Sequence, residues 1–265
     1  MKLISAETRE DVWIKAVRYL QNDARDLREY NLILEVEHPR KSNSRSKYIR
    51  KKLDVLLAQG DKPPVQTVAD TIFPAHEYKK YGINGLFEKY PDEIYPKIKS
   101  ANGNTRGTYA YRLVRGFNQK GEEVNPLDKV IKRLKSQLKT QKIRCAFELS
   151  LDDVDTIPIN RNDNFTRGFP CLSHLSFKLS HDRKQLHLTA IYRSQDYIVK
   201  ALGNLLGLAR LQDCVAKEIG IAVGTLVCHS TMATLDRPKG IYKKHIEALI
   251  TDVEELESES TGIPS

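Results

Sequence analysis

The sequence predicts an α/β (α+β) protein in which strands and amphipathic helices share one domain. Its 265 residues, 40% of them hydrophobic, are enough to bury a full core in a single domain. Apolar side chains alternate over 172–179 and again over 186–192, which is typical of two antiparallel strands joined by a turn at 181–184. Between 197 and 220 they recur at helical spacing, which indicates a mostly buried helix.

The other elements follow from the same periodicities. An amphipathic helix is expected over 8–20 with Thr8 as its N-cap, and a strand over 32–36 ends before Pro39. The polar and basic run 41–47 is typical of a mobile loop, and the turn-rich stretch 102–107 is expected at the rim of the sheet. Further helices are predicted over 127–138 and 241–256, and further strands over 143–149 and 220–229. We expect one domain over 1–256 and an acidic, flexible tail over 257–265.

Composition limits the class of protein. The net charge of +9 comes partly from basic clusters at 40–52, 129–142 and 239–244. Such clusters bind phosphate backbones in some proteins, but solvated helix faces are the favoured interpretation. No apolar run is long enough to cross a bilayer and no leader is evident, so a cytoplasmic protein without a membrane partner is expected. The four cysteines contain no CxxC pair, which argues against zinc and against a disulfide framework.

Groups suited to covalent catalysis gather between 168 and 204. This stretch carries the thiol of Cys171, the guanidinium of Arg193, the carboxylate of Asp196 and the amide of Asn204. Each also has a structural interpretation, as a buried free cysteine, a salt bridge between Arg193 and Asp196, and an internally bonded amide. His174 alternates with the apolar set and is expected in the core. The other cysteines expected there are Cys145, Cys214 and Cys228.

The order and spacing of these residues resemble a known family. Pro170-Cys171, a hairpin, Arg193-Ser194-x-Asp196 and then Asn204, eleven residues after Arg193, are similar to the thymidylate synthase superfamily, which includes the pyrimidine nucleotide hydroxymethylases. Upstream, Gly107-Thr-Tyr109 and the segments 125–135 and 143–147 resemble further parts of that family. The resemblance covers roughly residues 65–236.

The resemblance implies a fold and an activity. The fold would be thymidylate synthase-like, with a large mixed or antiparallel sheet flanked by helices, in a homodimer. The activity would be transfer of a one-carbon unit from 5,10-methylenetetrahydrofolate to carbon 5 of a pyrimidine nucleoside monophosphate. Methylation and hydroxymethylation both remain open, as do uracil and cytosine.

The resemblance also implies roles for individual residues. Cys171 would be the nucleophile, Asn204 would contact the base and Asp196 would hold the pterin of the folate. A catalytic carboxylate would be Asp70 or Glu77, although both have an alternative as ordinary surface carboxylates. The remaining substrate-binding candidates are Tyr109, Lys142, Arg144, Arg193, Ser194, Thr234 and Asp236.

Several positions depart from the family pattern. Thr234 and Asp236 stand where the family has a His-x-Tyr pair that contacts the sugar. Lys142 and Arg144 stand near two arginines that reach the partner's phosphate, and Arg45 lies near an arginine loop whose Arg-Thr-Gly motif is absent here. These departures support a second hypothesis, a catalytically silent relative that binds a nucleotide or nucleic acid. A basic RNA-binding protein on an unrelated fold has only the charge in its favour.

The chemistry accounts for the residue types. Carbon 5 of a pyrimidine becomes nucleophilic only after something adds at carbon 6, and a thiolate adds and leaves readily. Arg193 on the neighbouring strand favours the charged thiolate while offering a phosphate anchor. Asn204 offers a donor and an acceptor to a uracil edge. Asp236 offers only acceptors, which suit the two hydroxyls of a ribose.

Overall fold

The computed structural model of the chain describes residues 1–101, 104, 107–118, 120–140, 145–151 and 170–261, and of residues 257–261 it describes the backbone only. The described strands are β1 (Lys2–Ala6), β2 (Arg28–Val36), β3 (Gly116–Phe117), β4 (Glu123–Val124), β5 (Glu148–Ser150), β6 (Leu172–Leu179), β7 (Gln185–Tyr192), β8 (Gln195–Asp196) and β9 (Ala222–Thr234). Seven of them form one sheet in the order β1-β2-β9-β7-β6-β5, with β8 paired to β9 beside this path, while β3 and β4 form a separate ribbon.

Helices surround this sheet. They are α1 (Arg9–Asn22), α2 (Ser44–Gln59), α3 (Val65–Ile72), α4 (Ala75–Tyr81), α5 (Tyr95–Ile98), α6 (Tyr109–Val114), α7 (Pro126–Thr140), α8 (Ala201–Ile219) and α9 (Lys243–Thr261), with a π-helical segment at Gly85–Ile94. The predicted opening helix is confirmed, and Thr8 caps it by accepting the backbone N–H of Asp11 at 3.1 Å. None of the described helices combines the length and apolar character that a membrane crossing requires.

The predicted hairpin is confirmed, and its pairing builds one end of the sheet. β6 and β7 run antiparallel, from Leu172 opposite Tyr192 to Leu179 opposite Leu186. β7 runs parallel to β9, and β8 continues beside β9 with Asp196 opposite Thr234. Because β9 is antiparallel to β2, the sheet is mixed, as the resemblance implies. The start of β6 and the ends of β7, β8 and β9 therefore meet at one end of the sheet.

The buried helix α8 is the centre of the core. Most of its residues are buried, including Gln212, whose amide donates to the carbonyl oxygens of Leu186 at 2.8 Å and Gly224 at 3.2 Å. These bonds tie α8 to β7 and β9. At its N-terminal side, Trp13 of α1 donates its indole N–H to the carbonyl oxygen of Tyr197 at 2.7 Å. The start of α8 is thereby fixed against both the sheet and α1.

The basic run predicted as a loop is largely helical, so that prediction was wrong from residue 44 onwards. Asn43 caps α2 by accepting the backbone N–H of Ser46 at 2.8 Å. Further along, apolar residues at helical spacing are buried, among them Ile49, Leu53 and Leu57. Residues 44–47 occupy the first turn of a helix whose apolar face begins only after them.

The strand predicted over 143–149 and two predicted core residues need correction. The described strand here is Glu148–Ser150, and Cys145 precedes it with an exposed side chain. His174 lies outside the core and its Nε2 is 2.8 Å from Glu148 Oε2. An irregularity in pairing between Leu172 and His174 breaks the alternation, so His174 does not follow the apolar set. Cys214 and Cys228 are buried, as predicted.

Candidate active site

Cys171 stands at the start of β6, and its peptide group is held from two sides. Its backbone N–H donates to the hydroxyl of Tyr109 at 3.2 Å, and the N–H of Leu172 donates to the same oxygen at 3.3 Å. On the other side, the Cys171 carbonyl accepts the backbone N–H of Arg193 at 2.9 Å. The thiol-bearing residue is half-buried, so it lies fixed at the surface of the core.

Tyr109 is positioned by the first turn of α6. Thr108 caps this helix by accepting the N–H of Tyr111 at 3.2 Å, and its hydroxyl also bonds that of Tyr90 at 2.6 Å. Burial raises the pKa of Tyr109, and the neighbouring Cys171 acts in the same direction, whereas the charge of Arg193 opposes it. Tyr109 therefore remains a neutral phenol beside the thiol.

Arg193 is exposed and turns back towards the cysteine. Its Nε donates to the carbonyl oxygen of Pro170 at 2.9 Å, and its own carbonyl accepts from the hydroxyl of Thr231 at 2.8 Å. Ser194 follows it and is half-buried. A guanidinium is thus held next to Cys171 with a face open to solvent, which is where an anionic group of a ligand would be accepted.

Asp196, Thr234 and Asp236 form a polar group at the same end of the sheet. Asp196 lies opposite Thr234 in the β8–β9 pairing, and the Thr234 hydroxyl donates to Asp236 Oδ2 at 3.2 Å. One oxygen of Asp196 accepts the backbone N–H groups of Ile198 at 2.8 Å and Val199 at 3.0 Å. This oxygen shapes the turn that leads into α8, and the second carboxylate oxygen remains for another partner.

The carboxylate of Asp196 is costly to hold in its charged form. Burial raises its pKa to about 6, and the charge of Asp236 adds to the rise, although the two backbone N–H groups oppose it. The folded state therefore binds the proton more tightly than the unfolded chain. It follows that this group stabilises the fold below about pH 4 and that the contribution is lost as the pH rises to about 6.

We expect Asp196→Asn to be more stable than the wild type at pH 7.5 by on the order of 2 kcal/mol. The amide oxygen still accepts both backbone N–H groups, and the buried charge is gone. The difference should shrink towards zero near the acid end of the titration, about pH 4. Urea denaturation of both proteins at several pH values between these limits measures it.

Asp182→Asn is the matched control, because hydrogen bonds from Ser180 and Lys184 lower the pKa of Asp182 instead of raising it. No gain of stability at pH 7.5 is expected for this control. An Asp196→Asn protein that is less stable than the wild type at pH 7.5 would contradict the assignment.

Asn204 lies in the first turns of α8, as predicted, and is 4% exposed. Its backbone N–H bonds the carbonyl of Lys200 at 2.9 Å. Within the described residues its side-chain amide makes no hydrogen bond. The structural alternative of an internally bonded amide is therefore not supported.

The two candidate carboxylates on the helices differ in their surroundings. Asp70 of α3 accepts from Gln66 at 2.7 Å and pairs with Arg210 of α8 at 3.4 Å. Glu77 is half-buried in the first turn of α4. No hydrogen bond or ion pair within the described part of the chain joins either carboxylate to Cys171 or Asn204.

Of the three further basic candidates, the structure describes only Arg45, and this residue is not at the site. Lys142 and Arg144 lie outside the described residues. Arg45 sits at the start of α2, where it pairs with Asp11 at 2.9 Å and donates to the carbonyl of Val253 at 2.9 Å. It therefore joins α1 and α9 and belongs to a different part of the surface.

Sequence reasoning missed a basic turn beside the site. Arg28 lies opposite Thr234 in the β2–β9 pairing. In the preceding turn, Arg25–Leu27, the carbonyl of Leu27 accepts the backbone N–H of Leu235 at 3.0 Å. Asp26 and Leu27 both have positive φ, at 54° and 57°, an uncommon backbone for such residues. The signal in the sequence is a pair of arginines, Arg25 just before the first long strand and Arg28 at its first residue.

Comparison with known proteins identifies related sequences. A family model described as "Thymidylate synthase" matches residues 77–263. Proteins named "Putative thymidylate synthase" are similar: that of Methanothermobacter thermautotrophicus is 31% identical over 149 residues, covering 55% of this chain and 57% of that protein. That of Methanocaldococcus jannaschii is 28% identical over 127 residues, covering 47% and 54%. That of Methanothermobacter marburgensis is 24% identical over 241 residues, covering 87% and 91%. The chain thus spans little more than half the length of the first two relatives and most of the third.

Proposed function

Because the chain belongs to the thymidylate synthase family, we propose that it transfers a one-carbon unit from 5,10-methylenetetrahydrofolate to carbon 5 of a pyrimidine nucleoside monophosphate, with Cys171 as the nucleophile. The observation that carries the proposal is the bonding between Cys171 and Arg193. The Arg193 backbone N–H and its Nε bond the carbonyls of Cys171 and Pro170. A soft nucleophile and an anion anchor are thereby kept together on two paired strands.

The reaction uses Cys171 to activate the pyrimidine ring. The thiolate adds to carbon 6, and the electron pair of the 5,6 double bond moves towards carbon 5 and the carbonyl at carbon 4. Carbon 5 would then take the one-carbon unit from the folate held at Asp196 and lose its proton, with the folate departing as the leaving amine. A hydride for methylation, or water for hydroxymethylation, would then add to the exocyclic carbon, and the Cys171 thiolate would leave as the 5,6 double bond is restored. Hydrogen-bond donors near the oxygen at carbon 4 stabilise the charge that develops there.

Arginines at this end of the sheet suit the phosphate of the nucleotide. Arg193 is exposed beside Cys171, with Ser194 next to it, and Arg28 is aligned with Thr234 across β2 and β9. A guanidinium binds a phosphate through two parallel N–H donors, which fixes orientation as well as charge. Lys142 and Arg144 would act across the proposed homodimer.

Asn204 would contact the base. Its amide, which makes no hydrogen bond with the described residues, can donate to the oxygen at carbon 4 of uracil while accepting from the N–H at nitrogen 3. Cytosine has an amino group and an unprotonated nitrogen at these positions, so both contacts would be lost. Uracil is therefore the proposed base.

We expect Asn204→Asp to move the preference from uracil to cytosine nucleotides by at least about tenfold in kcat/KM. A carboxylate accepts from the cytosine amino group and repels the carbonyl oxygen of uracil. Steady-state kinetics with matched uridine and cytidine monophosphates measures the ratio. Asn204→Ala is the control, because it removes the contacts to uracil without adding one to cytosine. Equal use of both bases by the wild type would contradict the proposed role of Asn204.

Thr234 and Asp236 would contact the sugar. The Thr234 hydroxyl donates to one oxygen of Asp236, which leaves that carboxylate with further lone pairs for hydroxyl donors. A ribose offers two neighbouring hydroxyls and a deoxyribose one. Because one carboxylate can accept from both hydroxyls of a ribose, a ribonucleotide is the proposed preference.

Asp196 fits the folate, because its second carboxylate oxygen can accept from the N–H groups of a pterin. Bound there, the folate would supply the one-carbon unit at the oxidation level of formaldehyde. Burial and Asp236 raise the pKa of Asp196 to about 6, so keeping this carboxylate charged above that pH lowers the stability of the folded protein. Such a cost is typical of a binding residue.

For the catalytic carboxylate, Glu77 is favoured over Asp70. Asp70 is engaged by Arg210 and Gln66, whereas Glu77 has no hydrogen bond or ion pair within the described part of the chain. Proton transfer requires a carboxylate that is free to exchange its proton. Tyr109, bonded to the Cys171 peptide, would keep the nucleophile in place against the ring.

A transfer assay tests the function. The protein is incubated with methylenetetrahydrofolate carrying a labelled one-carbon unit and with uridine and cytidine monophosphates in ribo and deoxyribo forms. Label in one nucleotide is the expected result, and the mass of that product separates methylation from hydroxymethylation. Nucleotide binding by calorimetry without any transfer would instead support the catalytically silent relative.

A further inference from the structure

A fully buried phenol on the strand beside Cys171 makes no hydrogen bond within the described part of the chain. Tyr192 lies opposite Leu172 in the β6–β7 pairing and is 1% exposed, and its hydroxyl has no hydrogen-bond partner among the residues that the structure describes. Tyr197 is buried to the same degree, yet its hydroxyl bonds Ser230 Oγ at 3.2 Å. The two tyrosines lie in one buried layer, and only Tyr192 is left unsatisfied.

An unsatisfied buried hydroxyl needs a physical explanation. Leaving such a donor unpaired destabilises a fold, and a phenylalanine of almost the same shape would avoid the loss. Tyr192 is therefore expected to find its acceptor in another state of the protein. The candidates are the groups that face it.

Cys171 is next to this phenol in the strand pairing, because it precedes Leu172, the partner of Tyr192, and its carbonyl accepts the N–H of Arg193 at 2.9 Å. Three titratable groups lie near the phenol. Burial raises the pKa of Tyr192 well above its ordinary value, and the nearby Cys228, Tyr109 and Cys171 act in the same direction. Cys228 is a poor acceptor for the Tyr192 hydroxyl, because its thiol already donates to Gln195 at 3.7 Å and burial raises its pKa to about 12. The Tyr109 oxygen already accepts the N–H groups of Cys171 and Leu172.

Cys171 is the remaining acceptor, and it gains acceptor strength when it ionises. A thiol sulfur is a weak acceptor, whereas a thiolate carries a full negative charge. We propose that Tyr192 is a positioning residue for the nucleophile, whose hydroxyl donates to the sulfur of Cys171 once the thiol has lost its proton. The inference rests on the proposed role of Cys171 as the nucleophile.

The proton balance is simple. The thiol proton leaves to solvent, and Tyr192 keeps its own proton because burial holds its pKa high. Arg193 favours the same thiolate from the exposed side, while Tyr109 fixes the peptide group. Tyr192 therefore acts from the core side on the same sulfur, without touching the nucleotide.

The test is the pH dependence of Cys171 alkylation in Tyr192→Phe. Iodoacetamide reacts with the thiolate, and the peptide that contains Cys171 is followed by mass spectrometry, which separates it from the exposed Cys145. We expect the midpoint of the profile to rise by about one pH unit, which is roughly a tenfold slower reaction at pH 7. The thermal midpoint should be equal to or higher than that of the wild type.

Tyr197→Phe is the matched control, since it removes an equally buried hydroxyl whose partner is Ser230. This change should lower the thermal midpoint and leave the alkylation profile in place. 3-Fluorotyrosine at position 192, a stronger donor of similar shape, should move the midpoint to lower pH, and it keeps the test decisive if the phenylalanine variant does not fold.

Two failures are distinguishable. An unchanged alkylation midpoint in Tyr192→Phe, in a protein whose wild type transfers the one-carbon unit, would overturn the role of Tyr192 alone. A shifted midpoint in a protein with no transfer activity would overturn the proposed function and leave the contact between Tyr192 and Cys171 standing.

Discussion

Cys171→Ser is expected to abolish the covalent adduct that a 5-fluoropyrimidine nucleotide forms with the protein and to reduce one-carbon transfer by at least about 10,000-fold. Fluorine at carbon 5 cannot leave as a proton does, so the thiol of the wild type stays bonded to carbon 6. A serine hydroxyl is almost entirely protonated at neutral pH and has no base positioned to activate it. Intact-mass spectrometry in the presence of methylenetetrahydrofolate measures the adduct directly.

Cys145→Ser is the matched control, because Cys145 is the exposed cysteine among the described residues and lies outside the site. It should form the adduct as the wild type does. An adduct that persists in Cys171→Ser and disappears in Cys145→Ser would identify Cys145 as the nucleophile and contradict the proposal. No adduct in the wild type with any uridine or cytidine analogue would argue against the enzyme.

Gly203→Ala is expected to destabilise the fold by about 3 kcal/mol. A Cβ at this position would lie 2.5 Å from Val68 Cβ and 2.9 Å from the carbonyl oxygen of Val65. Both atoms belong to α3, so relief requires the helices to move apart, and neither contact is the end of a flexible side chain. Urea denaturation gives the free energy of unfolding, and nucleotide binding should weaken as well, because Asn204 is the next residue.

Gly220→Ala is the control for the second prediction. Gly220 has φ +78° and nothing within 4 Å of a built Cβ, so an alanine there meets only backbone strain. A loss of about 1 kcal/mol is expected, with nucleotide binding unchanged. Equal losses in the two variants would mean that the contact between α3 and α8 is looser than the distances indicate.

The sequence by itself determined the type of most elements and the neighbours of Cys171. Alternation over 172–192 predicts a hairpin, and a hairpin places the residue before its first strand beside the residue after its second, so Cys171 and Arg193 meet. The helical period after 197 predicts α8 and puts Asn204 in its first turns. These contacts are local in the chain, and local periodicity encodes them.

The capping of α2 and the irregularity at His174 are also local features, yet they were not predicted. In α2, the polar residues of the first turns precede the apolar face, so the pattern resembles a loop until Ile49. At His174, one irregular pair reverses which side chains face the core. In both places a single residue decides the local structure, and a hydrophobic pattern averaged over many residues does not detect a change at one position.

Only the tertiary structure decided the rest of the site. The pairing of β9 with β2 brings Arg28 to Thr234, and the packing of α8 against α3 gives Asp70 its partner Arg210. The burial of the Tyr192 hydroxyl without a hydrogen bond to any described residue is also a tertiary result, since its strand pattern is that of any core residue. Each of these contacts joins residues far apart in the chain, and the strand register and helix packing that create them depend on how all layers fit together.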